Sequence, residues 1–243
     1  MNKTILPPLI ISISIILGTW ILASHYVKSK RTPGAVSVTG LATRDFDSDL
    51  IVWSAGFSRR AGELQEAFNA LKQDQIKIKS YIESKGVPAA EIVFSAVNID
   101  KEYETTHHAD GSQSSTFSGY KLSQTVQIES KKIDTIEQLS REVTELINEG
   151  IELYSTDPRY YYTKLADLKV DLLAAAAKDA RIRAEKIAEN AGAGLGKMET
   201  GDMGIFQITG QNSNEDYSWG GTFNTSSRKK TASITVRVNF TID

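Results

Sequence analysis

The chain has no cysteine. That excludes a disulfide framework, a thiol nucleophile and a cysteine-ligated zinc site. Histidine is almost as scarce, with three in the whole sequence. His25 lies inside an apolar run, so a Ser-His-Asp triad would have to use His107 or His108, which sit in a polar stretch. No Gly-x-Ser-x-Gly elbow accompanies them. Neither sign of charge is in excess. Lys and Arg total 28 against 30 Asp and Glu, a formal net charge of −2. This excludes the basic footprint of an electrostatic nucleic-acid binder. Proline is also rare, at five residues, and the chain lacks the Pro-rich, highly charged composition of a disordered protein.

Charge is missing altogether from residues 4–27, which hold no Asp, Glu, Lys or Arg. An apolar helix needs roughly 20 residues to cross a bilayer core, so this run is long enough. Lys3 precedes it, Lys28, Lys30 and Arg31 follow it, and Trp20 and Tyr26 suit the headgroup level. The rival is a cleaved secretory signal. Cutting after Ala23 would put Ile21 at the −3 position, where small residues are preferred, and the run exceeds the usual h-region of roughly 7–15 residues. An uncleaved anchor is the expectation. The basic residues after the run, taken alone, favour a domain kept inside, but that rule is weak for large translocated domains. The expected organisation is residues 1–34 as anchor and linker, with Pro33-Gly34 as a turn, and residues 35–243 as one globular domain. A segment of that length can bury one large core or two small ones.

Periodicity places the elements of that domain. Residues 36–40 alternate as a strand, and residues 50–57 put Ile51, Trp53, Ala55 and Phe57 on one face. A helix is predicted over residues 61–84, with Leu64, Ala67, Phe68, Leu71, Ile78 and Ile82 as its apolar stripe. Residues 92–99 read as a strand, and residues 101–119 as a polar hairpin with Asp110-Gly111 at its tip. Tyr120, Leu122, Gln124, Val126 and Ile128 then share a face of a long strand. A second helix is predicted over residues 133–148, with Asp134 as N-cap. Strands follow at residues 151–155 and at the Tyr160–Tyr162 edge. The longest helix spans residues 164–191, with Leu165, Leu168, Leu172, Ala176, Ala180, Ala184, Ile187 and Ala191 on its stripe, an Asp179–Arg183 pair at i,i+4, and Gly192 as cap. Residues 198–209 read as one strand, residues 212–228 as a long mobile loop, and residues 232–240 as a closing strand. The order ββαββαβαββ defines an α+β fold, with an antiparallel-rich sheet packed against three long helices.

Little in this pattern carries reaction chemistry. His107-His108 point to opposite faces of an extended chain, which is poor chelating geometry. The glycines of Gly192-Ala-Gly-Leu-Gly196 end a helix rather than open one, so they carry the wrong dipole for phosphate. Arg228-Lys229-Lys230 reads as a solvated turn. No catalytic, cofactor-binding or metal-ligating residue is assigned, and no cofactor is expected. Two aromatic features stand out, because Tyr and Trp are enriched at contact surfaces. Tyr160, Tyr161 and Tyr162 present hydroxyls on both faces of an edge, and Tyr217, Trp219 and Phe223 sit in an otherwise polar loop. These six are the candidate partner contacts.

Several blocks of sequence resemble the SIMPL-domain (DUF541) family. They are Val36-Ser-Val-Thr-Gly40, Lys85-Gly-Val-Pro-Ala-Ala-Glu-Ile-Val-Phe-Ser95, Gly119-Tyr-Lys-Leu-Ser-Gln-Thr-Val126, and Ala177-Lys-Asp-Ala-Arg-Ile-Arg-Ala-Glu-Lys-Ile-Ala188 with Gly192 and Gly196 beyond. The order matters more than any one block. The chain departs from the family at Phe46-Asp-Ser-Asp49, where Pro-Asp is usual, and at Asn148-Glu-Gly-Ile-Glu-Leu-Tyr154, so it resembles a divergent branch. The resemblance extends to the bacterial 26–28 kDa periplasmic and outer-membrane antigen group. It implies an exported protein without established catalytic residues and, for some members, ring-like or channel-like homo-oligomers. The function expected is that of a non-enzymatic, membrane-anchored envelope protein that self-assembles or binds an envelope partner, with a stress-related role implied by family association. The expected location is the bacterial inner membrane, single-pass, with the domain facing the periplasm; the alternative is a cleaved, soluble periplasmic protein. The competing function is an envelope hydrolase or other enzyme.

Overall fold

The computed structural model describes residues 6–30, 34–108 and 111–242. Lys3, Thr4, Arg31, Pro33 and Asp110, on which parts of the expected anchor, linker and hairpin tip rest, lie outside the described residues. A first helix, α1, spans Leu6–Lys30, so the expected linker is helical as far as Lys30. Among the described residues no helix is long and apolar enough to cross a membrane. Ile15, Ile16, Trp20 and Leu22 of α1 are exposed.

Two strands follow, β1 (Gly34–Asp47) and β2 (Leu50–Ala61), then helix α2 (Leu64–Ser84). Strands β3 (Ile92–Phe94), β4 (Asn98–His107) and β5 (Gln113–Ser130) lead to helix α3 (Ile133–Glu142). Strands β6 (Glu152–Ser155) and β7 (Arg159–Tyr161) precede α4 (Leu165–Asn190). Strands β8 (Leu195–Met203), β9 (Gln207–Gly210) and β10 (Lys229–Ile242) complete the chain. The described residues thus form an α+β protein with antiparallel strand pairing. They divide into two compact units. One comprises Thr43–Leu172 and Ile205–Ile234; the other holds residues up to Ala42, Leu173–Gly204 and Thr235 onward. Strand β1, helix α4 and strand β10 are each divided between them.

The larger unit is built on a six-stranded sheet ordered β3-β5-β2-β6, with β4 on β5 and β7 on β2. Its inner face holds most of the alternating set foreseen: Ile51, Trp53, Ala55 and Phe57 of β2 and Leu122, Val126 and Ile128 of β5 are buried, with Trp53 opposite Ile128 and Ala55 opposite Val126, while Tyr120 and Gln124 are half-buried. Helix α2 covers them with Ala67, Leu71, Ile78 and Ile82. Leu64 and Phe68, expected on that stripe, are exposed. Asp74 takes their place in the row and is only 2% exposed. Its carboxylate receives both arms of the Arg59 guanidinium from β2: Nε binds Oδ2 and Nη2 lies 2.8 Å from Oδ1. A charge pulled out of water survives there because it has a two-point partner.

Several boundaries differ from expectation, each for a local reason. β2 runs on to Ala61, opposite Tyr120, which delays α2 to Leu64. The strand expected over residues 92–99 is two strands. The Ser95 hydroxyl accepts from Thr125 N–H and the Gln124 amide donates to Ser95 O, beside one backbone bond from Ser95 N–H to Thr125 O at 2.9 Å, so side-chain bonds interrupt the regular ladder while the chain stays tied to β5. The second long helix is the main correction. α3 has 10 residues and continues as a 3-10 helix over Val143–Glu149. Val143 and Leu146, three apart, are both buried, which suits a three-residue turn better than one of 3.6. Asp134 does not cap α3; it lies in the first turn and binds Arg228. The single strand expected over residues 198–209 is split between β8 and β9 at Gly204, whose N–H binds Thr235 O at 2.8 Å.

In the smaller unit β1 and β8 flank β10. Val36, Val38 and Ala42 alternate inward from β1, and Ala176, Ala180, Ala184 and Ala188 form a buried row on α4. Ile187, expected in that row, is exposed; the strict four-residue spacing selects Ala188. A side chain on Gly40 would place its Cβ 2.1 Å from Ala176 O and 2.5 Å from Ala180 N. Strand and helix touch backbone to backbone here, which only glycine on one side and alanine on the other allow. Asp179 fastens the contact, accepting from Leu41 N–H at 2.9 Å and from Arg183 Nε at 2.7 Å.

Candidate functional site

The loop between β9 and β10 is held in place rather than free. Its scaffold is β9, all four residues of which are buried. The Gln207 amide reaches across the loop. Its Nε2 donates to Ser218 O at 2.8 Å, and its Oε1 accepts from Thr222 N–H at 2.6 Å. Between those two points the chain makes a tight turn, closed by Gly221 N–H on Ser218 O at 3.0 Å, with Gly221 at φ +90°. Beyond the turn the chain returns along β9: Ile208 N–H donates to Thr222 O and Asn224 N–H to Ile208 O.

Trp219 stands at the apex of that turn and is 96% exposed; Tyr217 is 65% and Phe223 53% exposed. An indole on a mobile loop would fold back onto its own domain to leave water. Here the turn is fixed by buried amide bonds and the ring has nothing beneath it.

A second layer of polar groups anchors the loop. Glu215 accepts from Gly210 N–H at 2.8 Å and from the Asn224 amide; these hydrogen bonds, the Gly210 one foremost, hold its carboxyl below the usual range. Lys230 is only 2% exposed. Its amine donates to Asn224 O and, at 3.0 Å, to Tyr160 O. Burial drops its pKa to about 8, opposed by the Glu215 charge. The expectation of a solvated basic turn is therefore corrected for two of its three residues. Lys230 falls in phase with Ala232, Ile234 and Val236 on the inner face of β10, and Arg228 pairs with Asp134 at 2.6 Å.

The six aromatic candidates separate into two groups, on segments joined by a backbone hydrogen bond. Tyr160 N–H donates to Thr225 O at 2.7 Å, which joins β7 to the loop. The Tyr160 ring is half-buried against the core. Burial and a hydrogen bond with Glu137 push its hydroxyl up to about 12. Tyr162 packs on Phe46 with ring centroids 4.8 Å apart, and Tyr161 faces the opposite side of the sheet from Tyr160. Sequence reasoning passed over Gln207, Glu215, Asn224 and Lys230, which position the aromatics. Only Lys230 carried a signal, its place in the alternation. Among the described residues no group of three or more His, Cys, Asp or Glu is placed to hold a metal ion. His108 lies 3.0 Å from the Ser114 hydroxyl.

The buried Lys230 has a pH signature. An amine whose folded pKa lies below its unfolded value binds fewer protons when folded, so stability rises with pH between the two values. Relative to Lys230→Met, the parent should gain roughly 3 kcal/mol between about pH 8 and pH 10.5. Above about pH 10 the raised Tyr160 value works the other way, because the folded state holds a proton that the unfolded state has lost. Urea titrations of both chains from pH 7 to pH 10 measure the difference; a constant gap would remove Lys230 from this role.

Fold and loop together define an α+β protein with antiparallel sheets that presents exposed aromatic side chains from a fixed turn. Residues 36–242 match the model of the SIMPL family, described as a protein of unknown function (DUF541), and the chain belongs to that family. No curated protein matches it.

Proposed function

We propose that the protein is a non-enzymatic, membrane-anchored recognition module of the bacterial envelope. It self-assembles or binds another envelope protein through the β9–β10 loop, with the Tyr160–Tyr162 edge beside it. The observation that carries this reading is Trp219, exposed at the apex of a turn whose two ends are bonded to one buried amide. Aromatic anchors contribute most of the energy at many protein contacts, and holding one rigid in advance lowers the entropy cost of binding. The anchor reading rests on the uncharged run at residues 4–27. Most of that run lies in α1. The envelope location, the single-pass topology with the domain outside the cytoplasm, and kinship with the periplasmic and outer-membrane antigens belong to the same proposal and draw on motif resemblance.

The test puts a photoreactive benzoylphenylalanine at position 219 of the full chain in spheroplasts. Irradiation should give an adduct in the membrane fraction, either at twice the 26.7 kDa protomer mass or at the mass of a protomer plus one other protein. Protease added outside should destroy it. No adduct would remove the recognition role, and a protease-protected adduct would remove the proposed topology.

A further inference from the structure

Among the described residues, β4 pairs with β5 on one side and with no strand on the other. Nine of its ten residues are exposed and Glu102 is half-buried, so neither helix nor loop covers the open edge. Sheet edges are normally blunted by proline, a bulge or a covering element. β4 contains no proline. The bulge in this ladder falls on β5: Glu102 is opposite Gly119 and Tyr103 opposite Phe117, which leaves Ser118 as the extra residue. β2 ends at Ala61, opposite Tyr120, so beyond that point the β4–β5 ribbon stands alone. The open edge of β5 there is short and carries the bulge. That of β4 is continuous from Asn98 to His107.

The two faces beside this edge differ. Ile99 is opposite Leu122 and Lys101 opposite Tyr120, so Ile99, Lys101 and Tyr103 continue the core face of the sheet. Phe117 packs edge-on against both Tyr103 and Tyr120, with ring centroids 5.9 and 5.1 Å away. Ile99, Tyr103 and Phe117 stay exposed. The other face of β4 carries Asp100, Glu102 and Glu104. Lys121 faces Asp100 from β5. Arg60 binds Glu102 at 3.0 Å but is shared with Glu152 at 2.8 Å. Carboxylates outnumber cations there, and the face is negative.

The charges also decide against one occupant. Antiparallel pairing sets residues of one face opposite residues of the same face, so a strand paired with its own copy has one residue opposite itself. Centred on Lys101, Glu102 or Glu104, that residue is a charge. Centred on Tyr103, Glu102 meets Glu104. These are the registers that would pair most of β4, and like charges directly opposite are destabilising. The edge rejects its own copy and favours a strand of the other sign.

We propose that the β4 edge accepts an added strand from a protein partner, an extended segment in which basic and apolar residues alternate. Main-chain hydrogen bonds to the open edge supply affinity, and alternate side chains supply specificity. Lys or Arg side chains on one face of the segment meet Asp100, Glu102 and Glu104; the apolar residues between them lie beside Ile99 and Tyr103. This edge is separate from the β9–β10 loop, and its success or failure leaves the loop's role untouched.

The test uses the full chain in mild detergent and an acetylated, amidated octapeptide of alternating lysine and valine. Calorimetric titration at low salt should show saturable binding. Hydrogen exchange should slow in residues 98–107 when the peptide is added. Replacing the two central valines of the peptide by proline keeps its charge but removes ladder donors, and should abolish binding. Asp100→Lys with Glu104→Lys should weaken binding of the lysine peptide by about tenfold and admit the corresponding glutamate–valine peptide instead. Both side chains are exposed, and unchanged circular dichroism identifies a variant that still folds. The proposal is overturned if the lysine peptide does not bind at millimolar concentration, if the proline peptide binds as well, if charge reversal leaves the preference unchanged, or if exchange in residues 98–107 does not slow. Slowing that grows with protein concentration without peptide would give the edge to a second copy and overturn it too.

Discussion

Arg59→Met is expected to destabilise the protein by about 3–5 kcal/mol, because it leaves the Asp74 carboxylate buried beneath α2 with no partner. Asp74 is 2% exposed and its two oxygens are both engaged by Arg59. For a domain of this size each kcal/mol moves the midpoint by about 2–4 °C, so a fall of about 10 °C is expected. The double substitution Arg59→Met with Asp74→Leu separates two explanations. Replacing both partners of a buried pair by apolar groups is often neutral or stabilising, so the double variant should recover most of the loss. Equal melting of the single variant and the parent would show that water reaches the carboxylate. A double variant as unstable as the single one would assign the loss to packing of the Arg59 stem instead.

Gly40→Ala is expected to cost about 3 kcal/mol, the upper end of ordinary overpacking. The added methyl would meet Ala176 O at 2.1 Å and Ala180 N at 2.5 Å. Both are backbone atoms of α4, so no side chain can turn aside; β1 and the helix must separate. Gly62→Ala is the control. Nothing lies within 4 Å of its Cβ position and its backbone is not left-handed, so a small effect or a gain of a few tenths of a kcal/mol is expected. Thermal melts of the two variants give the comparison. Equal behaviour would mean that the strand–helix contact is looser than these distances imply.

These two sites also show where the amino-acid pattern could be read and where it could not. The alternation in β2 and β5 was legible because one face meets the core and the other does not. The alanine row of α4 was legible as far as Ala184, since small residues at four-residue spacing have few other uses in a polar helix. Asp74 was passed over because a lone carboxylate among Lys72, Gln73 and Gln75 looks like solvent-facing sequence. Its spacing nevertheless fits, three residues beyond Leu71 and four before Ile78. Lys230 was hidden in the same way by Arg228 and Lys229, although it keeps step with Ala232 and Ile234. In both cases residue type outweighed position. The end of α3 is a different failure. Nothing local in Val143-Thr-Glu-Leu146 forbids an α-helix; the tighter turn follows from which two side chains the core admits. For the loop, Tyr217, Trp219 and Phe223 could be singled out by composition alone. That Gln207, distant in sequence, fixes their turn follows from pairing that no local pattern encodes.

Self-association through those aromatics has a direct test. Burying one aromatic side chain contributes about 1.5–3 kcal/mol, and each 1.4 kcal/mol is about tenfold in an association constant. Three rings per protomer are thus enough to decide between monomer and assembly. The measurement is the molar mass of the detergent-extracted full chain by light scattering across a concentration series, beside a variant with Tyr217, Trp219 and Phe223 all replaced by Ser. The parent is expected at a multiple of 26.7 kDa and the triple variant at a lower mass with unchanged circular dichroism. A parent that stays at 26.7 kDa at every concentration, or a triple variant that assembles as the parent does, would contradict self-assembly through this loop.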